Sequence, residues 1–254
     1  MRSAIILSVM LALVTGPALH ASAATGKQEA ISRFVLGNQA YKQGNYDQAV
    51  TEYQAIITAG MASGEVYYNL GNAYFKKKQL GLAIANYERA LQLIPRDSDV
   101  NFNLRHARSL TQKRVVTDQP NLIQVLMDNH IGYYTFDEMV IILTVLVLVL
   151  GAVLLLGWIF KWSRYIQMGL RTVIGVMIIM YAVGLWYKCV TQADRAIVLR
   201  PVSANFEPRE EATSHFDLPV GTAVKVVTTK DGWVKVRRAD RRLGWIPGNA
   251  LEIL

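Results

Sequence analysis

Sulfur ligands are scarce in this chain. A single cysteine, Cys189, stands among 254 residues, which rules out an internal disulfide and a cysteine-rich zinc site. It closes an apolar segment, where a free thiol packs as a small hydrophobe, so it reads as buried. Histidine is nearly as rare. Beyond the first segment only His106, His130 and His215 remain, each in a different part of the chain. A metal centre or a Cys–His nucleophile needs several such groups to converge. The patterns HExxH, GxGxxG, GxSxG and the P-loop are all missing. These absences point to a non-enzymatic chain with no catalytic site, no metal and no cofactor. Acidic residues are the minority sign, 19 against 27 Lys and Arg, for a net charge of +8. A basic excess can mark a nucleic-acid or anionic-lipid partner. Here the cations are divided among the C-terminal third, the central helices and short flanks of apolar runs, so no nucleic-acid partner is expected.

What is abundant is apolar sequence, 52% of residues against 18% charged, and it is concentrated in runs. The chain opens with Met1-Arg2-Ser3, an apolar stretch from Ala4 to Val14, Gly16-Pro17 and Ala21-Ser22-Ala23. A basic start, a short apolar core and small residues at the end make a secretory signal peptide, 1–23, cleaved after Ala23. The run from Met139 to Phe160 carries no charge and is long enough to span a bilayer as a transmembrane helix. A second span is read over 172–190, with Lys188 reaching back to the interface. Trp158, Trp162, Trp186 and Tyr187 fall near the ends, where aromatic belts sit. Between the spans, 161–171 carries Lys161, Arg164 and Arg171 and no acid, which makes it a cytoplasmic loop. The leader and the loop charge agree. Both large polar segments are expected outside the cytoplasm, in the periplasm, anchored in the cytoplasmic (inner) membrane.

Before the spans the chain repeats itself, with the period of about 34 that marks one class of helical repeat. Leu36-Gly37-Asn38 returns as Leu70-Gly71-Asn72, Tyr41 as Phe75, Ala49 as Ala83, Tyr53 as Tyr87 and Ile57 as Leu91. This period and these positions resemble tetratricopeptide repeats, in which paired antiparallel helices stack to bury what one pair cannot. The repeat domain is read as 24–113, with units at about 30–63 and 64–97, a capping helix 98–113 and a linker 114–138. Pro95 ends the second unit, whereas Met61 stands where the first would place proline. Phe34, Asn38 and Lys42 share one helix face. Their equivalents are Tyr68, Asn72 and Lys76, followed by Phe102 and His106. In tetratricopeptide folds this face lines the concave groove, and its aromatic, amide and lysine rows would suit an acidic peptide or helix. The same residues read equally well as groove surface that packs locally. The resemblance carries over no carboxylate clamp, because Phe34, Asp99 and Asn103 occupy places where that clamp has cations.

From Ala196 the text changes to short alternating strands, with Asp231-Gly232 as a hairpin turn. Leu218-Pro219-Val220-Gly221-Thr222, Gly232-Trp233-Val234-Lys235-Val236 and Gly244-Trp245-Ile246-Pro247 resemble, in order, a bacterial SH3 domain over 196–254. The resemblance implies a small all-β barrel in which Trp233 and Trp245 are core or structural rings. Domains of this kind often bind cell-wall peptides. Here Asn205-Phe206-Glu207-Pro208 departs from the usual loop.

The fold class is therefore multi-domain: an all-α tetratricopeptide solenoid, a transmembrane helical hairpin and a small SH3-like barrel. The order leader, repeats, two spans and SH3-like domain resembles the BatE-type proteins of bacterial aerotolerance operons. That resemblance implies partners among other Bat proteins with von Willebrand A domains and a MoxR-type ATPase at the cytoplasmic side. It also implies a scaffold role in envelope-stress or oxygen tolerance. Membrane lipid is the third expected contact. The competing reading is a tether holding peptidoglycan peptides through the SH3-like domain.

Overall fold

The computed structural model describes residues 26–111, 125, 127 and 130–254, so the leader 1–23 and most of the linker 114–138 lie outside the described residues. The chain forms two compact units that divide between Gln79 and Leu80. The division falls inside the second repeat.

The first unit is helical. Helix α1 runs through residues 26–42, α2 spans Tyr46–Thr58 and α3 spans Gly64–Lys76. Local chemistry sets their ends. Asn45 caps α2 by accepting the Gln48 N–H, and Ser63 caps α3 by accepting the Val66 N–H, both at 3.3 Å. Gly60 closes α2 at φ +75°, a left-handed conformation that glycine adopts without strain. The Gly60 N–H then reaches Ile57 O at 2.9 Å and the Met61 N–H reaches Ile56 O at 3.1 Å. The helix is thus stopped without the missing proline. Ala40, Ala49, Tyr53, Ile56, Leu70 and Ala73 are buried. A methyl group on Gly37 would lie 2.6 Å from Tyr53 Cε1, so this glycine is what admits the Tyr53 ring.

The second unit begins with α4 (Leu80–Leu93) and α5 (Ser98–Thr111), packed against each other. Asp97 caps α5, its carboxylate accepting the N–H groups of Asp99 at 2.9 Å and Val100 at 3.0 Å. Two long apolar helices follow, α6 (Phe136–Ile159) and α7 (Arg164–Gln192), which lie against each other as a hairpin. Helix α6 starts three residues before the run read from composition, because Thr135 and Glu138 form a reciprocal capping box. Helix α7 starts well before residue 172, so Arg164 and Arg171 lie on it and the connection shrinks to 160–163. No proline interrupts 164–192, and a continuous helix satisfies its own backbone polar groups. Gln167 Nε2 donates to Gly157 O at 3.0 Å and Trp162 O at 3.1 Å, tying the turn. At the other end of the hairpin the Met139 methyl approaches Gly184, and Lys188 donates to Tyr134 O. Cys189 is exposed on α7, not buried as its apolar surroundings suggested. Its neighbour Val190 is exposed as well, whereas Lys188 on the other side is buried against Tyr134 O.

Seven strands complete the unit: β1 (Arg195–Val198), β2 (Val202–Asn205), β3 (Ser214–Leu218), β4 (Ala223–Lys230), β5 (Trp233–Arg237), β6 (Leu243–Pro247) and β7 (Leu251–Ile253). They form one antiparallel sheet in the order β3-β2-β6-β5-β4-β1-β7. The sheet is open, with β3 and β7 at its edges; of the expected barrel, the structure supports an antiparallel sheet. Its core holds Val198, Phe216, Leu218, Val224, Val234, Val236 and Ile246. Trp233 and Trp245 are only half-buried and stand on the opposite face. Strand alternation requires this, since Val234, Val236 and Ile246 already take the inner side.

Helix α4 packs on β1 and β7 of this sheet. Glu88 is buried and paired with Arg108 of α5 and with Arg195 of β1, the latter at 3.1 Å. Arg89 meets Glu252 of β7 at 2.7 Å and also donates to Ile253 O. A side chain on Gly81 would fall 2.6 Å from Leu199 Cα and 2.7 Å from Leu199 O, so backbone meets backbone there.

Candidate functional site

In the first unit, α1 and α3 present the aromatic, amide and lysine rows. Phe34 is half-buried and tilts against Tyr53 at a centroid distance of 6.1 Å. Asn38 is held more tightly than a free groove residue. Its Oδ1 accepts the Tyr53 hydroxyl at 2.7 Å and the Asn69 amide at 3.1 Å, joining α1, α2 and α3. The carboxamide oxygen is therefore structural, holding the three helices together. Tyr68 and Asn72 are half-buried, each with contacts inside the fold. Lys42 and Lys76 are exposed and form no ion pair among the described residues. Lys77, the neighbour of Lys76, is instead paired with Asp47.

Phe102 and His106 belong to the second unit. They lie one turn apart on α5, stacked at 6.3 Å with Phe102 63% exposed. On the sheet, Phe206 and His215 stack at 4.3 Å, with Phe206 in the loop that departs from the SH3 pattern. Reading by repeat period could not find this pair, because the two residues meet only through the pairing of β2 with β3.

Burial raises the Tyr53 phenol to about 12, with a smaller contribution from Tyr41. The neutral phenol is the form that donates to Asn38. Because the folded value lies above the ordinary tyrosine range, the contribution of Tyr53 to stability is complete below about pH 10 and lost as pH rises toward 12. The helices of the first unit are expected to melt earlier as pH rises through that window. Tyr53→Phe should remove this part of the pH dependence while costing about 1 kcal/mol at neutral pH. Thermal scans by circular dichroism at pH 8 and 11 check both effects.

Residues 64–97 match the tetratricopeptide repeat family model. Repeats of this family generally bind proteins or peptides, and the matched segment contains Tyr68, Asn72 and Lys76. No curated protein matches the chain at a significant level. Helices α6 and α7 are both long and apolar enough to cross a membrane, with mean hydropathies of 3.3 and 1.9 in their richest windows.

Proposed function

We propose that this chain is a non-enzymatic adaptor, anchored in the cytoplasmic membrane by the α6–α7 hairpin and binding partner proteins through its tetratricopeptide repeats outside the cytoplasm. The observation that carries the reading is the joint between α4 and the sheet. These elements flank the hairpin in sequence, yet Arg89 reaches Glu252 and Glu88 reaches Arg195. Segments in direct contact share one side of a membrane. An even number of crossings allows that and a single crossing does not. The turn end of the hairpin carries Lys161, Arg164 and Arg171 and no acid, while its other end carries Asp137 and Glu138 beside Lys188 and Arg195. The positive-inside rule supports placing the turn in the cytoplasm and the repeats and sheet outside.

The order of segments resembles BatE-type proteins, and on that ground the partners would be other Bat proteins with von Willebrand A domains. The groove reading rests on Lys42 and Lys76, exposed cations one repeat apart. Charge reversal is the direct test. In membranes carrying Lys42→Glu/Lys76→Glu, recovery of crosslinked partners should fall about tenfold, since like charges replace complementary ones. Unchanged recovery with normal protein levels removes the groove from the proposal.

A further inference from the structure

Where α7 runs into the sheet, the strand register lines up cations. Arg195 of β1 is the direct cross-strand partner of Lys225 of β4, and Lys225 is the partner of Arg237 of β5. Directly opposed residues in a sheet point to the same face with Cβ atoms about 5 Å apart, and like charges there repel. Three cations in a row across three strands is an arrangement the sheet by itself disfavours. Arg241, in the turn between β5 and β6, adds a fourth charge to the same depression, and Arg238 a fifth. Two of these have carboxylate partners, Arg195 with Glu88 and Arg238 with Asp240. Lys225, Arg237 and Arg241 have none among the described residues. These five residues, with Thr191, Ala223, Val224 and Ala239, line a shallow, open cavity of about 260 Å³ with no acid in its lining.

The position of this cavity is fixed by α7. Lys225 Nζ donates to Val190 O at 2.9 Å, in the last turn of the helix, and Thr191 forms part of the wall. Trp186 and Tyr187 lie about one turn earlier, at the level expected of an interfacial aromatic belt. One turn of helix rises about 5 Å, so the cations stand just beyond the belt, where lipid phosphates lie. An ammonium group has three donors, and Lys225 uses one on the helix end. Arginine forks match phosphate oxygens in pairs.

We infer that this cavity binds the phosphate of an anionic lipid headgroup, which bridges Lys225, Arg237 and Arg241 and locks the sheet to the outer leaflet. The inference rests on the membrane reading above. It deepens that reading by giving the sheet a lipid-binding role.

The test uses the full chain in mild detergent, titrated with phosphatidylglycerol or with phosphatidylcholine of the same acyl chains, with adducts counted by native mass spectrometry. Wild type should retain phosphatidylglycerol in preference to phosphatidylcholine. Lys225→Gln/Arg237→Gln/Arg241→Gln should lower that retention by more than tenfold, because each cation contributes severalfold. Without lipid the triple variant should melt close to wild type, the relieved repulsion offsetting the altered bond from residue 225 to Val190 O. With lipid it should lose the rise in melting temperature. Equal retention by variant and wild type overturns the site. Displacement of the lipid by equimolar inorganic phosphate overturns the lipid as its source. Alkaline carbonate extraction of the same cells separates the two levels. A chain released to the supernatant removes the membrane reading itself, whereas a chain kept in the pellet with unchanged adducts removes only the lipid site.

Discussion

Gly81→Ala is expected to loosen the C-terminal sheet from α4 at a cost of about 2 kcal/mol, although alanine is the better helix former. The two effects have opposite signs, and their sizes decide. Exchanging glycine for alanine in a helix gains about 1 kcal/mol at most, and less in the first turn, where Gly81 sits. Against this, the new methyl carbon would lie 2.6 Å from Leu199 Cα and 2.7 Å from Leu199 O. These are backbone atoms of the chain leaving β1 and cannot rotate aside, so the strand must move away. Overpacking of this kind costs about 1–3 kcal/mol, and a rigid neighbour places it at the upper end. Glu88→Gln should act on the same joint by another route. It leaves Arg108 and Arg195 facing a neutral amide. Their side chains are 34% and 27% exposed, which lowers the penalty from the roughly 3–5 kcal/mol of a fully buried broken pair to about 2 kcal/mol. Amide hydrogen exchange read at β1 and β7 should accelerate in both variants, while the α6–α7 hairpin keeps its protection. If exchange at β1 and β7 stays at the wild-type rate in both, the contact does not hold the two elements together, and the topological argument built on it fails.

The joint itself could not have been read from sequence. Tetratricopeptide periodicity marked Gly71, Ala83 and Tyr87 because each repeats a residue of the preceding unit, Gly37, Ala49 and Tyr53. It was silent on Gly81, Glu88 and Arg89, whose roles come from strands far later in the chain. Local rules did well where the cause was local: the turn at Asp231-Gly232 and the apolar runs that became α6 and α7. They failed where a residue has two faces to choose from. Trp233 and Trp245 look like core by size, but the alternation of β5 and β6 hands the inner face to valine and isoleucine. Cys189 looks buried by its place in an apolar run, yet it stands exposed on α7 with Val190 while Lys188 turns inward. The face of α1 and α3 was legible as a face, but the pattern could not tell a groove amide from a structural one. Asn38 is structural through its oxygen, which is bound to Tyr53 and Asn69. The row Arg195, Lys225 and Arg237 is the clearest case of information that exists only in register.

Two arginines, at Val145 and Leu148, are expected to pull α6 out of the membrane, where one would not. Only 6% of the most apolar window of α6 is buried within the chain, so its apolar surface has to be covered by something else. Sixteen of its 24 residues are Leu, Ile, Val or Phe. At about −0.3 to −0.6 kcal/mol each near a helix centre, they favour insertion by about 5–10 kcal/mol. A central arginine opposes insertion by about 2.5–3.5 kcal/mol and also removes the residue it replaces. Leu148→Arg alone therefore leaves α6 inserted, whereas Val145→Arg/Leu148→Arg brings the balance near zero. Both positions are exposed, at 50% and 68%, and sit one turn apart on the same side of the helix. In a water-soluble protein such substitutions change stability by about 0.5 kcal/mol or less and improve solubility. The outcomes diverge in sign. Carbonate extraction should leave wild type and the single variant in the pellet and release a large share of the double variant. Wild type that washes off intact, or a double variant that stays in the pellet like wild type, would show that lipid is not what covers α6.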